Sequence, residues 1–125
     1  MIKHLFRRFK KNSRGVAAVE FAIILPFLLV LVIGVIDLGW LFNGWVVLTG
    51  AAREGARTAI TDPEQAVEAA LDHAVNFRGS VSEPEVLKDE EKVTVIVSGR
   101  LDPLVGWFGN EVSAQAEVRR YYPKD

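Results

Sequence analysis

A long, almost uninterrupted run of apolar residues dominates the first half of the chain. Between Val16 and Ile36 the only charged residue is Glu20, and the next charged residue is Asp37. A helix needs roughly 20 such residues to cross a hydrocarbon core of about 30 Å. The pattern therefore predicts a membrane-spanning helix over about 16–36.

The apolar character continues beyond this span, because "LGWLFNGWVVLTGAA" follows with no Pro and no cluster of turn residues. We therefore predict one helix over 16–60, roughly 65 Å long, of which about half stands outside the bilayer. This outer half is apolar nearly all round, which is typical of a helix that is covered on several sides. The tail, 61–125, can cover only one side, so we expect neighbouring helices in an assembly.

Glycine recurs along this helix at intervals of about five residues. The positions are Gly34, Gly39, Gly44, Gly50 and Gly55. Each Gly costs roughly 1 kcal/mol relative to Ala in a helix interior, so a packing or bending reason is needed. We interpret Gly34, Gly39 and Gly44, with Trp45, as helix-packing positions against several neighbours. The alternative is the ordinary enrichment of small residues in membrane helices.

The tail begins with a helix signal, in which Asp62 is the cap and Pro63 occupies the first helical position. The apolar positions of "PEQAVEAALDHAVNF" then fall on one face, and Gly79 ends the helix. The face comprises Val67, Ala70, Leu71, Ala74 and Phe77. This segment is predicted to be an amphipathic surface helix.

Two segments near the C-terminal end alternate between apolar and polar residues, over 93–98 and 112–119, and predict an antiparallel pair of strands. Val86 and Leu87 indicate a short edge strand within an acidic loop, whose carboxylates we expect to be solvated. The connector between the two strands contains Trp107 and Phe108. We favour a core position for these two aromatics over an exposed contact surface. The predicted fold class is α+β.

The basic residues are distributed unevenly, and this sets the expected topology. Six of the 15 basic residues precede Gly15 with no acid among them, which leaves nine basic and 16 acidic residues in the rest of the chain. The positive-inside rule then places a leader, 1–15, in the cytoplasm and the tail outside. A removable secretory signal is the alternative, but its apolar region would run for only about 7–15 residues.

Glu20 is an acid inside the apolar run, where a charge at the centre costs about 2.5–3.5 kcal/mol on insertion scales. One interpretation is that it lies near enough to the interface to reach water. The other is that it has a positive partner. Cleavage after Gly15 would create such a partner, because the new α-amino group of Val16, on the same or a neighbouring chain, would be cationic.

These residues resemble a known family. The basic leader ending in Gly15, followed by "VAAVEF", resembles the cleavage region of type IV pilin-like precursors, and "GVIDLGWLF" with "AAREGAR" resembles the TadE-like minor pilins (pseudopilins) of the tight-adherence, or Flp, pilus. The resemblance implies cleavage by a prepilin peptidase between Gly15 and Val16, with Glu20 and Phe21 as the recognition pair. Trp40 departs from the pattern, since the family tends to have Arg there.

The resemblance also draws attention to Arg53, Glu54 and Arg57. Arg53 and Arg57 are four residues apart and share a helix face, and Glu54 is three residues from Arg57. This set is either an ordinary solvated end of the helix or a face that docks on the tail or on a partner. The sequence leaves both interpretations open.

Enzymatic function has little support in the sequence. There is no cysteine, the two histidines are His4 and His73, and no spacing suggests a catalytic triad, a phosphate loop or a metal site. We expect no cofactor, and the basic leader beside a span favours lipid headgroups over nucleic acid.

Two functions follow. The first is a processed pilin-like subunit in the bacterial inner membrane, with the peptidase, other pilin-like subunits and the assembly machinery as partners. The alternative is an uncleaved, signal-anchored adaptor that presents a small domain to an envelope complex.

Overall fold

The computed structural model describes residues 13–119, so most of the predicted leader, 1–12, lies outside the described residues. The architecture is α+β, as predicted. A long apolar N-terminal helix precedes a small domain that contains a short helix and an antiparallel sheet.

Two α-helices are present in the described part of the chain. Helix α1 spans Ser13–Thr61 and includes Pro26, and helix α2 spans Ala66–His73 and continues as a 3-10 turn over Ala74–Asn76. Helix α2 begins three residues after the predicted start at Pro63, because 63–65 form a turn. The prediction that Asp62 caps this helix is wrong, because the cap position is Gln65; the Asp62 carboxylate instead accepts a hydrogen bond of 3.1 Å from the Glu64 N–H within the turn.

The sheet has four strands, with the longest at its centre. They are β1, Gly79–Val81; β2, Glu85–Lys88; β3, Lys92–Leu101; and β4, Glu111–Arg119. Strand β3 pairs antiparallel with β2 and then β1 along one edge, and with β4 along the other. The predicted pairing of β3 with β4 is confirmed, as is the short strand around Val86. Strand β1 was not predicted.

Gly79 allows β1 to join the sheet. Its φ is +130°, a region that side chains disfavour, and an added Cβ would meet the carbonyl oxygen of Arg100. The prediction that Gly79 ends the helix is wrong, because the helical residues end at Asn76 and Gly79 starts a strand.

The core lies between the helices and one face of the sheet. Its buried apolar residues are Leu48, Ala51, Ala52, Ala56 and Ala59 from α1; Ala66, Ala70, Ala74 and Phe77 from the α2 region; and Val93, Val95, Val97, Leu101, Val112 and Ala114 from the sheet segment. The helical contribution is mostly alanine, so the helix backbones approach the valines of β3 closely. The alternation of burial along β3 and β4 agrees with the predicted apolar faces.

Two expectations about burial are wrong. Leu71 was placed on the inner face of α2 but is 41% exposed, and the inner face is formed by Ala66, Ala70 and Ala74 instead. Trp107 and Phe108 were favoured as core residues, but they are 54% and 52% exposed. The physical reason is that Trp107 and Phe108 form a turn between Gly106 and Gly109, which directs their side chains away from the core.

The internal contacts of the chain define two compact units, one up to Val35 and one from Ile36 onward. The second unit contains residues 36–61 of α1 as well as α2 and the sheet. We predicted a domain boundary at residue 61, where α1 ends. The boundary between the compact units lies earlier, at residue 36, so the last 26 residues of α1 belong to the C-terminal unit.

Candidate functional site

The predicted processing motif lies in the first turns of α1. Val16 and Phe21 are 47% and 59% exposed, Glu20 is also exposed, and Gly15 is half-buried. The cleavage site and the recognition pair are thus on an accessible helix surface of the first unit. Their roles stay predictions.

Of the described residues, α1 is the helix that is long and apolar enough to cross a membrane. Length and composition alone would also suit the buried core helix of a soluble protein, or a signal sequence. The most apolar stretch of α1 is not buried by any part of residues 13–119, so it is not a core helix of the described fold. The finding is consistent with a membrane-anchored protein.

The glycines of α1 differ in what surrounds them. A Cβ added at Gly39 would meet nothing within 4 Å, whereas at Gly44 it would lie 3.0 Å from the Phe77 ring and 3.3 Å from Leu101. The small size of Gly44 is therefore explained by packing within its own chain. Packing of Gly34 and Gly39 against neighbouring helices stays a prediction.

One side of the outer half of α1 is apolar and exposed. Phe42, Trp45 and Val46 are 62%, 53% and 61% exposed, and Leu38 is 36% exposed. Trp45 borders a shallow, mostly apolar groove of about 440 Å³ between α1 and the start of β4, which Leu41, Phe42 and Val112 also line. The tail covers one side of this helix, as the sequence led us to expect, and leaves the other side open.

Arg53 and Arg57 are exposed and Glu54 is half-buried, in the last turns of α1. The structure keeps both interpretations of this set open. In contrast, Trp40 has a defined role, because the Arg78 guanidinium lies over its ring, with Cζ 3.7 Å from the centroid. A cation therefore lies next to position 40, where the family tends to have Arg, but this cation is the side chain of Arg78.

The most elaborate polar site centres on Asp37, which sequence reasoning treated only as the first acid after the span. Its side chain is 4% exposed and accepts three backbone hydrogen bonds. Leu104 N–H donates to Oδ1 at 2.8 Å, and Val105 and Gly106 N–H donate to Oδ2 at 3.0 and 3.2 Å. Consecutive backbone donors of this kind form a concave anion site.

Two opposing effects act on the pKa of the Asp37 carboxyl. Burial raises the pKa, but the hydrogen bonds from Leu104, Val105 and Gly106 together outweigh burial and hold the pKa below its ordinary value. The carboxylate is therefore ionised at neutral pH. Its charge is balanced by backbone dipoles, and among residues 13–119 no basic side chain forms an ion pair with it.

The segment that Asp37 binds is a closed loop between β3 and β4, which we call the aromatic loop, residues 102–110. The Leu101 N–H donates to the Asn110 carbonyl at 2.7 Å and closes the base. At the tip, the Gly109 N–H donates to the Gly106 carbonyl at 3.2 Å, and both glycines have positive φ. Trp107 and Phe108 occupy the two corners of this turn, so their side chains point away from the core.

Neither Asp37 nor the loop was among the predicted site residues. The partners are 67 to 69 residues apart in sequence, and no local pattern joins them. The available signal was a lone acid at the end of an apolar run, which demands compensation wherever it is buried.

Comparison with known proteins gives one family match. Residues 15–57 match the model described as "TadE-like protein". No curated protein and no solved structure gives a significant match to the chain. TadE-like pilus proteins are structural rather than enzymatic, and the family implies association with pilus components. The match covers about a third of the chain, most of it in the long apolar helix, and over these residues the chain is similar to TadE-like proteins of the Tad pilus system.

Proposed function

We propose that the chain is a pilin-like structural subunit of a Tad pilus, anchored in the inner membrane by α1 and cut by a prepilin peptidase between Gly15 and Val16. The observation that carries this proposal is the extent of the family match, which begins at Gly15 and follows α1 to Arg57. The matched segment thus contains the proposed cleavage site, the acid at Glu20 and the span.

Cleavage is tested by the intact mass of the protein from cells with and without the peptidase. The expected result is loss of the leader up to Gly15 in cells that have the enzyme, and an uncut chain in a Gly15→Arg variant. An identical, uncut mass in both strains would favour the alternative function, an uncleaved signal-anchored adaptor.

The role of Glu20 follows from charge. After cleavage, the Val16 α-amino group is a cation in an apolar environment, and Glu20 supplies the opposite charge. A Glu20→Gln variant keeps the shape and loses the charge, so we expect normal insertion and failed assembly, while Glu20→Asp keeps the charge as a matched control. Normal assembly of Glu20→Gln would refute charge pairing and leave access to interfacial water as the explanation.

The proposed orientation places the N-terminus in the cytoplasm and the C-terminal unit outside. It rests on the excess of basic residues before the span. A reporter fused after Asp125 should be active only if it functions outside the cytoplasm. A cytoplasmic reporter signal would reverse this topology.

The proposed assembly surface is the exposed apolar side of α1 beyond the span, because its side chains have no cover within the described part of the chain. Trp45→Glu and Gly39→Leu should reduce co-purification with other pilin-like subunits. Neither position is buried, so the fold should persist. Leu87→Glu adds the same charge at an exposed apolar position of β2, away from α1, and is the matched control. Unchanged recovery in both test variants would exclude this surface.

A further inference from the structure

The aromatic loop combines order with exposed apolar side chains. Leu104, Val105, Trp107 and Phe108 are each about half exposed. The hydrogen bond at the base, the glycine turn and the Asp37 contacts give the loop a defined conformation. The exposure of these side chains is therefore not the result of a disordered segment. Exposed aromatics at turn corners, where polar residues and glycine are usual, indicate a contact surface.

The position of Asp37 indicates what covers this loop. Asp37 directly follows the proposed span, 16–36, and its carboxylate lies within 3.2 Å of the three donor nitrogens of the loop. The loop backbone is therefore held at the level where α1 leaves the hydrocarbon core. The headgroup layer on each side of that core is about 5–8 Å thick. The side chains of the loop are long enough to lie within it.

The chemistry of the loop suits that layer. Trp is enriched where membranes meet water, because its ring is apolar and its N–H can still be hydrated. Asp102 is the one charged residue of the segment 102–110. A carboxylate without hydrogen-bond partners would be costly to place next to hydrocarbon. The Asp37 carboxylate avoids this cost because it accepts hydrogen bonds from the loop backbone.

We infer that the aromatic loop is a second membrane contact: Leu104, Val105, Trp107 and Phe108 insert into the lipid headgroup region, and Asp37, which directly follows the proposed span, fixes the loop at that depth. The contact rests on the proposed membrane anchoring by α1. It ties the C-terminal unit to the bilayer surface until the subunit leaves the membrane.

The test uses the full chain in vesicles of phosphatidylethanolamine and phosphatidylglycerol, some of whose acyl chains are brominated near the headgroup. Bromine quenches Trp fluorescence at short range. The double variant Trp40→Phe with Trp45→Phe leaves Trp107 as the reporter. The double variant Trp40→Phe with Trp107→Phe leaves Trp45, which lies eight residues beyond Asp37 on α1, or about 12 Å along the axis, and serves as the matched control.

The inference predicts a blue shift and strong bromolipid quenching for Trp107, with little quenching for Trp45. Unquenched Trp107 that is accessible to aqueous iodide overturns it and would point to a protein partner instead. Equal quenching of both reporters also overturns it, because the unit would then lie flat on the bilayer. Flotation of the chain with the vesicles separates these outcomes from failure of the anchoring itself.

The function of Asp37 is tested by Asp37→Asn in the Trp107 reporter chain. The amide has one acceptor oxygen instead of two, so the loop should lose its fixed depth and bromolipid quenching should fall. Circular dichroism and the Trp45 reporter monitor the fold. Unchanged quenching of Trp107 would refute the positioning role of Asp37.

Discussion

Replacement of Gly55 by alanine tests whether the close approach of α1 to the sheet limits the stability of the C-terminal unit. A Cβ at Gly55 would lie 3.0 Å from the Ala70 Cβ, 3.1 Å from Val95 Cγ1 and 3.3 Å from the Ala66 carbonyl oxygen. Two of these atoms belong to short, buried side chains and the third is backbone. None of them can move without displacing α2 or β3.

The magnitude follows from two opposing effects. Gly→Ala in a helix interior gains about 1 kcal/mol from backbone entropy. Extra volume in a packed core costs about 1–3 kcal/mol, and three rigid neighbours favour the upper part of that range. We therefore expect Gly55→Ala to lower the free energy of unfolding by about 1–2 kcal/mol. Gly39→Ala, where the Cβ meets nothing, should raise it by about 1 kcal/mol.

The assay is urea unfolding of the full chain in mild detergent micelles, followed by the fluorescence of its tryptophans. Gly50→Ala is an intermediate control, because its Cβ would meet only the His73 ring at 3.2 Å, and that side chain can rotate away. If Gly55→Ala were as stable as Gly39→Ala, close packing would not be the reason for glycine at this position.

Three further predictions concern the same unit. The pKa of the Asp37 carboxyl lies below its ordinary value of 3.8, so its stabilising contribution is present at neutral pH and is lost as the pH falls through the folded pKa. The free energy of unfolding, measured at decreasing pH, should show this loss in the wild type and not in Asp37→Asn. Leu48→Ala, at a fully buried position, should cost about 3 kcal/mol in urea unfolding, whereas Phe42→Ala on the exposed side should change stability by less than about 0.5 kcal/mol. A double-mutant cycle between Arg78 and Trp40 should give a coupling of about 1 kcal/mol, and a value near zero would refute the cation–π contact.

Local periodicity explains which parts of the fold were predictable. The alternation in β3 and β4 marks which residues face the core, and the apolar run of α1 is long enough to exclude a strand. Strand β1 has three residues and no alternation, and it exists because Gly79 lets it reach β3. The residues near β1 in the sequence do not include its pairing partner, because β1 pairs with residues 99–101 of β3.

The site was harder to predict than the fold, and residue type was misleading at its centre. Trp107 and Phe108 have the composition of core residues, but a turn between two glycines with positive φ places them outside. Asp37 looked like a boundary marker because its three donors are distant in sequence. Backbone donors also leave no trace in residue identity, since any residue but proline can supply an N–H.

The contact between Asp37 and the aromatic loop also constrains the order in which the chain can mature. Helix α1 is synthesised first, but its alanine face remains uncovered until β3 is made, and the Asp37 carboxylate has no donors until residues 104–106 emerge. Closure of contacts separated by 67 to 69 residues is slow compared with helix formation. A newly made chain therefore passes through a stage in which α1 is helical but the C-terminal unit is incomplete. During that stage, its acid without donors and its uncovered alanine face distinguish it from a chain that has finished folding.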